Sequence, residues 1–159
     1  MTVGEIRLDR VDKGFKKELL EQAGGEKIMA CFTCRTCVAS CPITAVNEGF
    51  NPVRIIRMAL YGLREEVLES DFIWLCSSCY ACQERCPQGV KIAEFMMLLK
   101  NLAVKEGKIP QGIRAQRDII RDKGRIYPID DFDNKKRTKA GLPELPTSLE
   151  AARELFRGK

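Results

Sequence analysis

The chain has 159 residues, 45% of them hydrophobic and 31% charged, which is typical of one small folded domain with room for a tail. It contains no histidine, and this excludes Ser-His-Asp and Cys-His nucleophiles, histidine-ligated zinc and histidine-ligated haem. The formal net charge is +5, of which residues 111–159 supply +4. The one compact basic run, 135–139, follows the acidic run 130–133, whereas nucleic-acid-binding proteins carry a clustered basic face, so we expect no nucleic-acid partner.

The N-terminal segment, MTVGEIRLDRVDKGF, interleaves acids and bases where a signal peptide needs an apolar run. No stretch of the sequence approaches the roughly 18–20 apolar residues of a membrane span. We therefore expect a cytoplasmic protein without a membrane span. A first short helix is predicted from the apolar stripe of Val11, Phe15 and Leu19, and it ends at Gly24-Gly25.

Two copies of a cysteine motif dominate the sequence. The pattern C-x₂-C-x₂-C-x₃-C-P occurs twice and uses all 8 cysteines. The copies are Cys31, Cys34, Cys37, Cys41 and Pro42, then Cys76, Cys79, Cys82, Cys86 and Pro87. Without a secretion signal, so many cysteines indicate metal ligands rather than disulfides. The spacing is that of a bacterial-type [4Fe–4S] ligand run, so we expect two such clusters.

The spacing also predicts which cysteines share a cluster. Three cysteines on one tight loop can reach three iron corners, while the fourth points away and suits the other cluster, as in two-cluster ferredoxins. The predicted sets are Cys31, Cys34, Cys37 and Cys86 for one cluster, and Cys76, Cys79, Cys82 and Cys41 for the other. Two Cys₄ zinc sites in a binding module without a redox role remain the alternative.

Helical periodicity accounts for the segments around these motifs, and we find no alternating strand pattern, so we expect an all-α fold. Asn51 followed by Pro52 is an N-cap and first-turn pair. One long amphipathic helix is predicted after it, with the apolar stripe Val53, Ile56, Leu60, Leu63 and Val67. The second motif is followed by a helix with the stripe Ile92, Phe95, Met96, Leu99, Leu102 and Ala103.

The C-terminal third is expected to be less regular. A helix is predicted from Pro110 to Lys123, closed by Gly124. Residues 125–147 contain three prolines among charges and are expected to be extended, with the basic run 135–139 in a polar linker. Thr147 and Glu150 have the spacing of a capping box for a last short helix.

The segments CFTCRTCVASCP and CSSCYACQERCP, with NPVRIIRMALYGL between them, resemble the α-helical ferredoxin domain of respiratory iron–sulfur subunits. Within that group the chain is most similar to the C subunit of heterodisulfide reductase. The resemblance implies an α-helical ferredoxin domain over 1–125, with a cluster core at 28–106. It leaves 126–159 as an extended tail that ends in a short helix.

The resemblance also implies a function, which is to relay single electrons within a hetero-oligomer. The expected partners are the disulfide-cleaving B subunit, the flavin- and cluster-bearing A subunit, and a membrane cytochrome. No catalytic residue is expected, because two clusters use every cysteine. A second interpretation is the iron–sulfur subunit of another dehydrogenase complex of the succinate, glycerol-3-phosphate or glycolate type. The succinate type carries a further [2Fe–2S] cysteine domain, which this chain lacks.

Overall fold

The computed structural model of the chain describes residues 8–156. Within that range the fold is entirely helical and contains no strand, as predicted. Two 3₁₀ turns lie at Leu8–Arg10 and Ile28–Ala30. The α-helices are α1 Phe15–Leu20, α2 Thr36–Ala39, α3 Pro42–Val46, α4 Pro52–Leu60, α5 Arg64–Leu68, α6 Phe72–Leu75, α7 Ala81–Glu84, α8 Ile92–Lys105, α9 Gln111–Lys123, α10 Asp131–Lys139 and α11 Glu150–Leu155.

The chain divides into two compact units, one ending at Lys108 and the other beginning at Ile109. The first unit contains both cysteine motifs, and the second contains α9, α10 and α11. The boundary that we expected at residue 125 falls just after α9 and therefore inside the second unit. How far the ferredoxin domain extends stays a prediction.

Helix α8 is the centre of the first unit. Its buried residues cover most of its circumference, and the helix packs against α5, α6 and α7. These residues are Ile92, Ala93, Phe95, Met96, Leu98, Leu99, Leu102 and Ala103. Burying each of the larger side chains contributes roughly 1.5–3 kcal/mol, so α8 is an apolar support for the second cysteine motif, whose cavity Ala93 and Met96 line.

The prediction of one long helix after Asn51 is wrong, because the helix is interrupted around Gly62 and continues as a second helix. Its beginning is as predicted, since the Asn51 Oδ1 accepts a hydrogen bond from the Arg54 backbone N at 3.1 Å. Gly62 has φ +77, and a Cβ there would lie 2.5 Å from the Asp12 carbonyl oxygen. The Asp12 backbone N also donates to the Gly62 carbonyl at 2.8 Å. A left-handed glycine in contact with another segment therefore separates α4 from α5.

Arg64, the first residue of α5, joins three parts of this unit. Its guanidinium forms ion pairs with Glu18 of α1, with Asp12 at 3.3 Å and with Glu106, just after α8, at 2.7 Å. The same group lies 4.9 Å from the centroid of the Phe15 ring. Because the Arg64 side chain is only 24% exposed, solvent screens these pairs less than ordinary surface pairs.

The expectation of an extended segment over 125–147 is wrong for α10. Asp130 and Asp133 form a capping box, in which the Asp133 backbone N donates to the Asp130 Oδ1 at 2.9 Å. Of the basic residues that we assigned to a linker, Lys136, Arg137 and Lys139 occupy the last turn of this helix. Acids at the start and bases at the end both favour the helix dipole, so this charge order is a helix signal that the linker prediction overlooks.

The other two predictions in this region have different outcomes. Helix α9 ends at Gly124, which has φ +70, as predicted. Helix α11 is present, but its N-cap residue is Leu149 and no side chain caps it. The predicted capping box of Thr147 and Glu150 is therefore wrong. None of the helices within 8–156 is both long enough and apolar enough to cross a membrane.

Candidate metal centres

The two cysteine loops share an unusual backbone conformation. Thr33 and Arg35 have φ values of 65 and 67 on either side of Cys34, and their counterparts Ser78 and Tyr80 have φ values of 53 and 63. No other non-glycine residue in the described part of the chain has a positive φ. Loops that mix left- and right-handed residues form concave nests of backbone N–H groups, which favour anions such as iron–sulfur clusters. Each loop is therefore shaped for an anionic group.

The first cavity is lined by the four cysteines of one predicted set: Cys31, Cys34, Cys37 and Cys86. Three come from the first loop, and the fourth follows α7 in the second motif. The rest of the wall includes Thr33, Arg35, Thr36, Val53 and Gln88. Phe32 and Pro87 complete the wall, and the surface that faces the cavity is mainly apolar.

The second cavity is lined by the other predicted set: Cys41, Cys76, Cys79 and Cys82. Its wall is mainly apolar and includes Ile43, Phe50, Pro52, Ala93 and Met96. Cys41 stands at the N-terminus of α3, in the first motif. The structure thus brings together the two groups of four that the crossing rule predicts. That each group ligates a cluster stays a prediction.

Packing between the motifs explains why the fourth cysteines are exchanged. Helices α2 and α7, which carry Cys37 and Cys82, contact one another. The Arg85 guanidinium also donates to the Ser40 hydroxyl at 3.5 Å, which joins the ends of the two motifs. Each short helix therefore delivers the cysteine that follows it to the neighbouring loop.

The buried thiols are held in their neutral form when no metal is bound. Burial, followed by negative charge on Cys31, Cys82 and Cys34, raises the pKa of Cys37 to about 11. Cys82 belongs to the other cavity, and the contact between α2 and α7 makes the two cavities neighbours. Cys34 is exposed, and its hydrogen bond with the Thr36 hydroxyl at 3.3 Å lowers its pKa.

Cys82 mirrors Cys37 in the second cavity. Burial, followed by negative charge on Cys76, Cys79 and Cys41, raises its pKa to about 11. Four thiolates in so confined a space repel one another, and only a strongly cationic partner reverses that balance. The donor chemistry therefore fits iron held by thiolate ligands.

The spacing of the thiols bears on the choice between zinc and a cluster. All eight cysteines are free thiols. Among the described residues, no group of three or more His, Cys, Asp or Glu side chains could hold a single metal ion. A tetrahedral zinc site needs four sulfurs within about 2.3 Å of one point, whereas each corner of a [4Fe–4S] cluster takes its own cysteine. Four thiols spread around one cavity fit the cluster better.

Sequence reasoning missed one polar contact near the second cavity. The Lys100 ammonium, on α8, donates to the carbonyl oxygen of Cys76 at 2.9 Å. Lys100 follows Met96, which lines the cavity, by one helical turn. The sequence places Lys100 four residues after Met96, on the same face of a predicted helix. That spacing alone does not show that the lysine reaches a cysteine loop.

Comparison with known proteins gives one family and a consistent set of relatives. Residues 27–90 match the family described as 4Fe-4S dicluster domain, and this span contains both cysteine motifs. The C subunit of the H(2):CoB-CoM heterodisulfide,ferredoxin reductase of Methanothermobacter thermautotrophicus is 38% identical over 141 residues. The aligned part covers 89% of this chain and 75% of that protein.

Two further relatives cover similar shares. The C subunit of the ferredoxin:CoB-CoM heterodisulfide reductase of Methanosarcina mazei is 38% identical over 136 residues, or 84% of this chain and 83% of that protein. The iron-sulfur C 2 subunit of the CoB--CoM heterodisulfide reductase of Methanocaldococcus jannaschii is 35% identical over 158 residues. That alignment covers 94% of this chain and 84% of the relative.

Proposed function

Because the chain belongs to the family of heterodisulfide reductase C subunits, we propose that its two cavities hold the [4Fe–4S] clusters of an electron-transfer relay. One cluster is held by Cys31, Cys34, Cys37 and Cys86, and the other by Cys76, Cys79, Cys82 and Cys41. The observation that carries this proposal is the pair of cavities, each lined by four cysteines in the crossed arrangement.

A bound [4Fe–4S] cluster supplies reversible one-electron redox chemistry. The chain's own residues do the rest: the thiolates fix each cluster, and apolar neighbours such as Phe50 and Met96 keep water from the second cavity. Cys37 on α2 and Cys82 on α7 belong to different ligand sets, and the contact between these two helices brings the sets close together. This proximity supports electron transfer from one cavity to the other.

The residues that the chain contains also indicate that disulfide cleavage occurs in another subunit. Reducing a disulfide to two thiols takes two electrons and two protons at one place. The sequence has no histidine to deliver protons near neutral pH, and the two clusters use all 8 cysteines. We therefore assign this chain a non-catalytic role in an oxidoreductase complex.

The relay role implies neighbours on two sides within a multi-subunit complex. On one side lies the B subunit with the disulfide-cleaving centre, and on the other lies the flavin- and cluster-bearing A subunit or a membrane cytochrome. Phe32 beside the first cavity is 57% exposed and Tyr80 beside the second is 39% exposed, and both suit contacts with such neighbours. We also propose a cytoplasmic location, where cysteines stay reduced and can serve as cluster ligands.

Four single variants test the crossed ligand sets. Cys34→Ala and Cys79→Ala identify, by electron paramagnetic resonance (EPR) of the dithionite-reduced chain, the signal that belongs to each loop. We expect the spectrum of Cys41→Ala to match that of Cys79→Ala, and the spectrum of Cys86→Ala to match that of Cys34→Ala. If each fourth cysteine instead matches its own motif, the crossed assignment is wrong.

The relay role has a separate test. The pure chain should exchange electrons with viologen dyes, but it should reduce a heterodisulfide only after a partner with a cleavage centre is added. A pure chain that reduced the heterodisulfide as fast as the complex would contradict the relay assignment.

A further inference from the structure

We infer that Lys100 is a positioning residue that raises the reduction potential of the cluster at the second cavity and so makes the two clusters unequal. The inference rests on the proposed function, because it needs a cluster held by Cys76, Cys79, Cys82 and Cys41. It adds a residue outside the cysteine motifs and assigns it an electronic role.

The contact is specific. The Lys100 Nζ lies 2.9 Å from the carbonyl oxygen of Cys76, a residue 24 positions earlier in the chain. Lys100 is half-buried, and it follows Met96 by one turn and Ala93 by two on α8. Met96 and Ala93 both line the second cavity. The ammonium is therefore tied to the backbone of a ligand residue, on the side of α8 that faces the cavity.

The charge matters because reduction adds one negative charge at the cavity. A fixed cation stabilises the reduced form relative to the oxidised form, and the effect is larger in partly buried surroundings, where the dielectric is lower. The apolar wall of this cavity, with Ile43, Phe50 and Pro52, reduces screening by water. Lys100 thus opposes the lowering of the potential that apolar surroundings cause.

The described part of the first unit contains no equivalent contact at the first cavity. Among described residues up to Lys108, no lysine or arginine side chain donates a hydrogen bond to the carbonyl of Cys31, the counterpart of Cys76. Arg35 lines that cavity, but it is exposed, so solvent screens its charge. The two cysteine motifs are alike in sequence. Lys100, which lies outside both motifs, makes the surroundings of the two cavities different.

A purely structural role is the competing explanation, since Cys76 ends α6 and a lysine can hydrogen-bond the last carbonyl of a helix. Such a role affects whether the loop folds and leaves the potential of a correctly bound cluster unchanged. The potential therefore separates the two explanations.

The experiment is an EPR-monitored redox titration of the full chain with both clusters bound. The variants are Lys100→Met, Lys100→Gln and Lys100→Arg, with Lys105→Met as the control. Lys105→Met removes the same charge from an exposed position at the end of α8. Cys79→Ala, which disrupts the second cavity, identifies the signal to be followed.

We expect Lys100→Met to lower the reduced-to-oxidised ratio of the second-cavity cluster about tenfold at a fixed ambient potential, which is about 59 mV for one electron. Lys100→Gln should lower it similarly although it keeps a donor, whereas Lys100→Arg should stay near wild type. Lys105→Met should change neither cluster.

Unchanged potentials in Lys100→Met or Lys100→Gln, or equal shifts at both clusters, would overturn the inference. If Lys100→Met does not retain the second cluster, Lys100→Gln decides: a wild-type potential in that variant shows a structural role. A wild-type chain that binds no iron and sulfide would instead contradict the proposed function itself.

Discussion

The left-handed backbone of the cysteine loops leads to a prediction about Arg35. With φ 67, this residue occupies a region that costs an ordinary L-residue roughly 1–2 kcal/mol and a β-branched residue more, while glycine adopts it freely. Arg35→Gly and Arg35→Val remove the same guanidinium, so their difference isolates the backbone. We expect the glycine variant to be more stable than the valine variant by about 2 kcal/mol, roughly a thirtyfold difference in the population of the opened loop.

The assay is anaerobic iron release to a chelator in mild urea, followed by loss of visible absorbance. When the loop opens and closes faster than the chelator captures iron, the release rate follows the population of the opened form. Ala39, within α2, is the matched control, because valine is favoured over glycine by a few tenths of a kcal/mol inside a helix. If the Arg35→Val variant released iron no faster than the Arg35→Gly variant, the loop would not hold residue 35 in the left-handed region.

The remaining predictions concern the scaffold, and urea denaturation checks each of them. Arg64→Met should lower the free energy of unfolding by about 1–3 kcal/mol, because it leaves the partly buried Glu18 carboxylate without its ion pair, whereas Glu106 keeps Lys108 at 3.0 Å; an unchanged midpoint would show that the Arg64 ion pairs contribute nothing. Gly25→Ala should destabilise by at least about 2 kcal/mol, since its Cβ would lie 1.7 Å from the Leu19 carbonyl oxygen. Gly112→Ala, with open space around it on α9, should instead stabilise by roughly 0.5–1 kcal/mol. Asn51→Ala should lower the free energy of unfolding by about 1 kcal/mol and Asn51→Asp by much less, because aspartate, unlike alanine, can still cap α4.

Local chemistry explains what could be predicted from the sequence. The cysteine repeat predicted the three cysteines that each loop contributes to its own cavity, because metal-ligand spacing is a property of one short loop. The apolar period of α8 and the closing Gly124 of α9 were also local signals. The crossing of the fourth cysteines followed from a general rule for such motifs, and the packing of α2 against α7 gives its physical basis.

The features that the sequence did not predict depend mainly on contacts between distant segments. The break at Gly62 depends on Asp12, and the hydrophobic stripe continues across it because α4 and α5 both bury apolar residues in the same core. Helix α10 was missed because a strongly charged segment without an apolar stripe is typical of a linker, although its charge order favours a helix. Lys100 could not be assigned, since only the packing of α6 against α8 brings its ammonium to Cys76.

The central claim, that this chain holds two [4Fe–4S] clusters, is tested most directly by metal and sulfide analysis of the anaerobically purified protein. We expect about eight iron and about eight acid-labile sulfide atoms per chain, as two such clusters require. Stoichiometric zinc without sulfide would contradict the account.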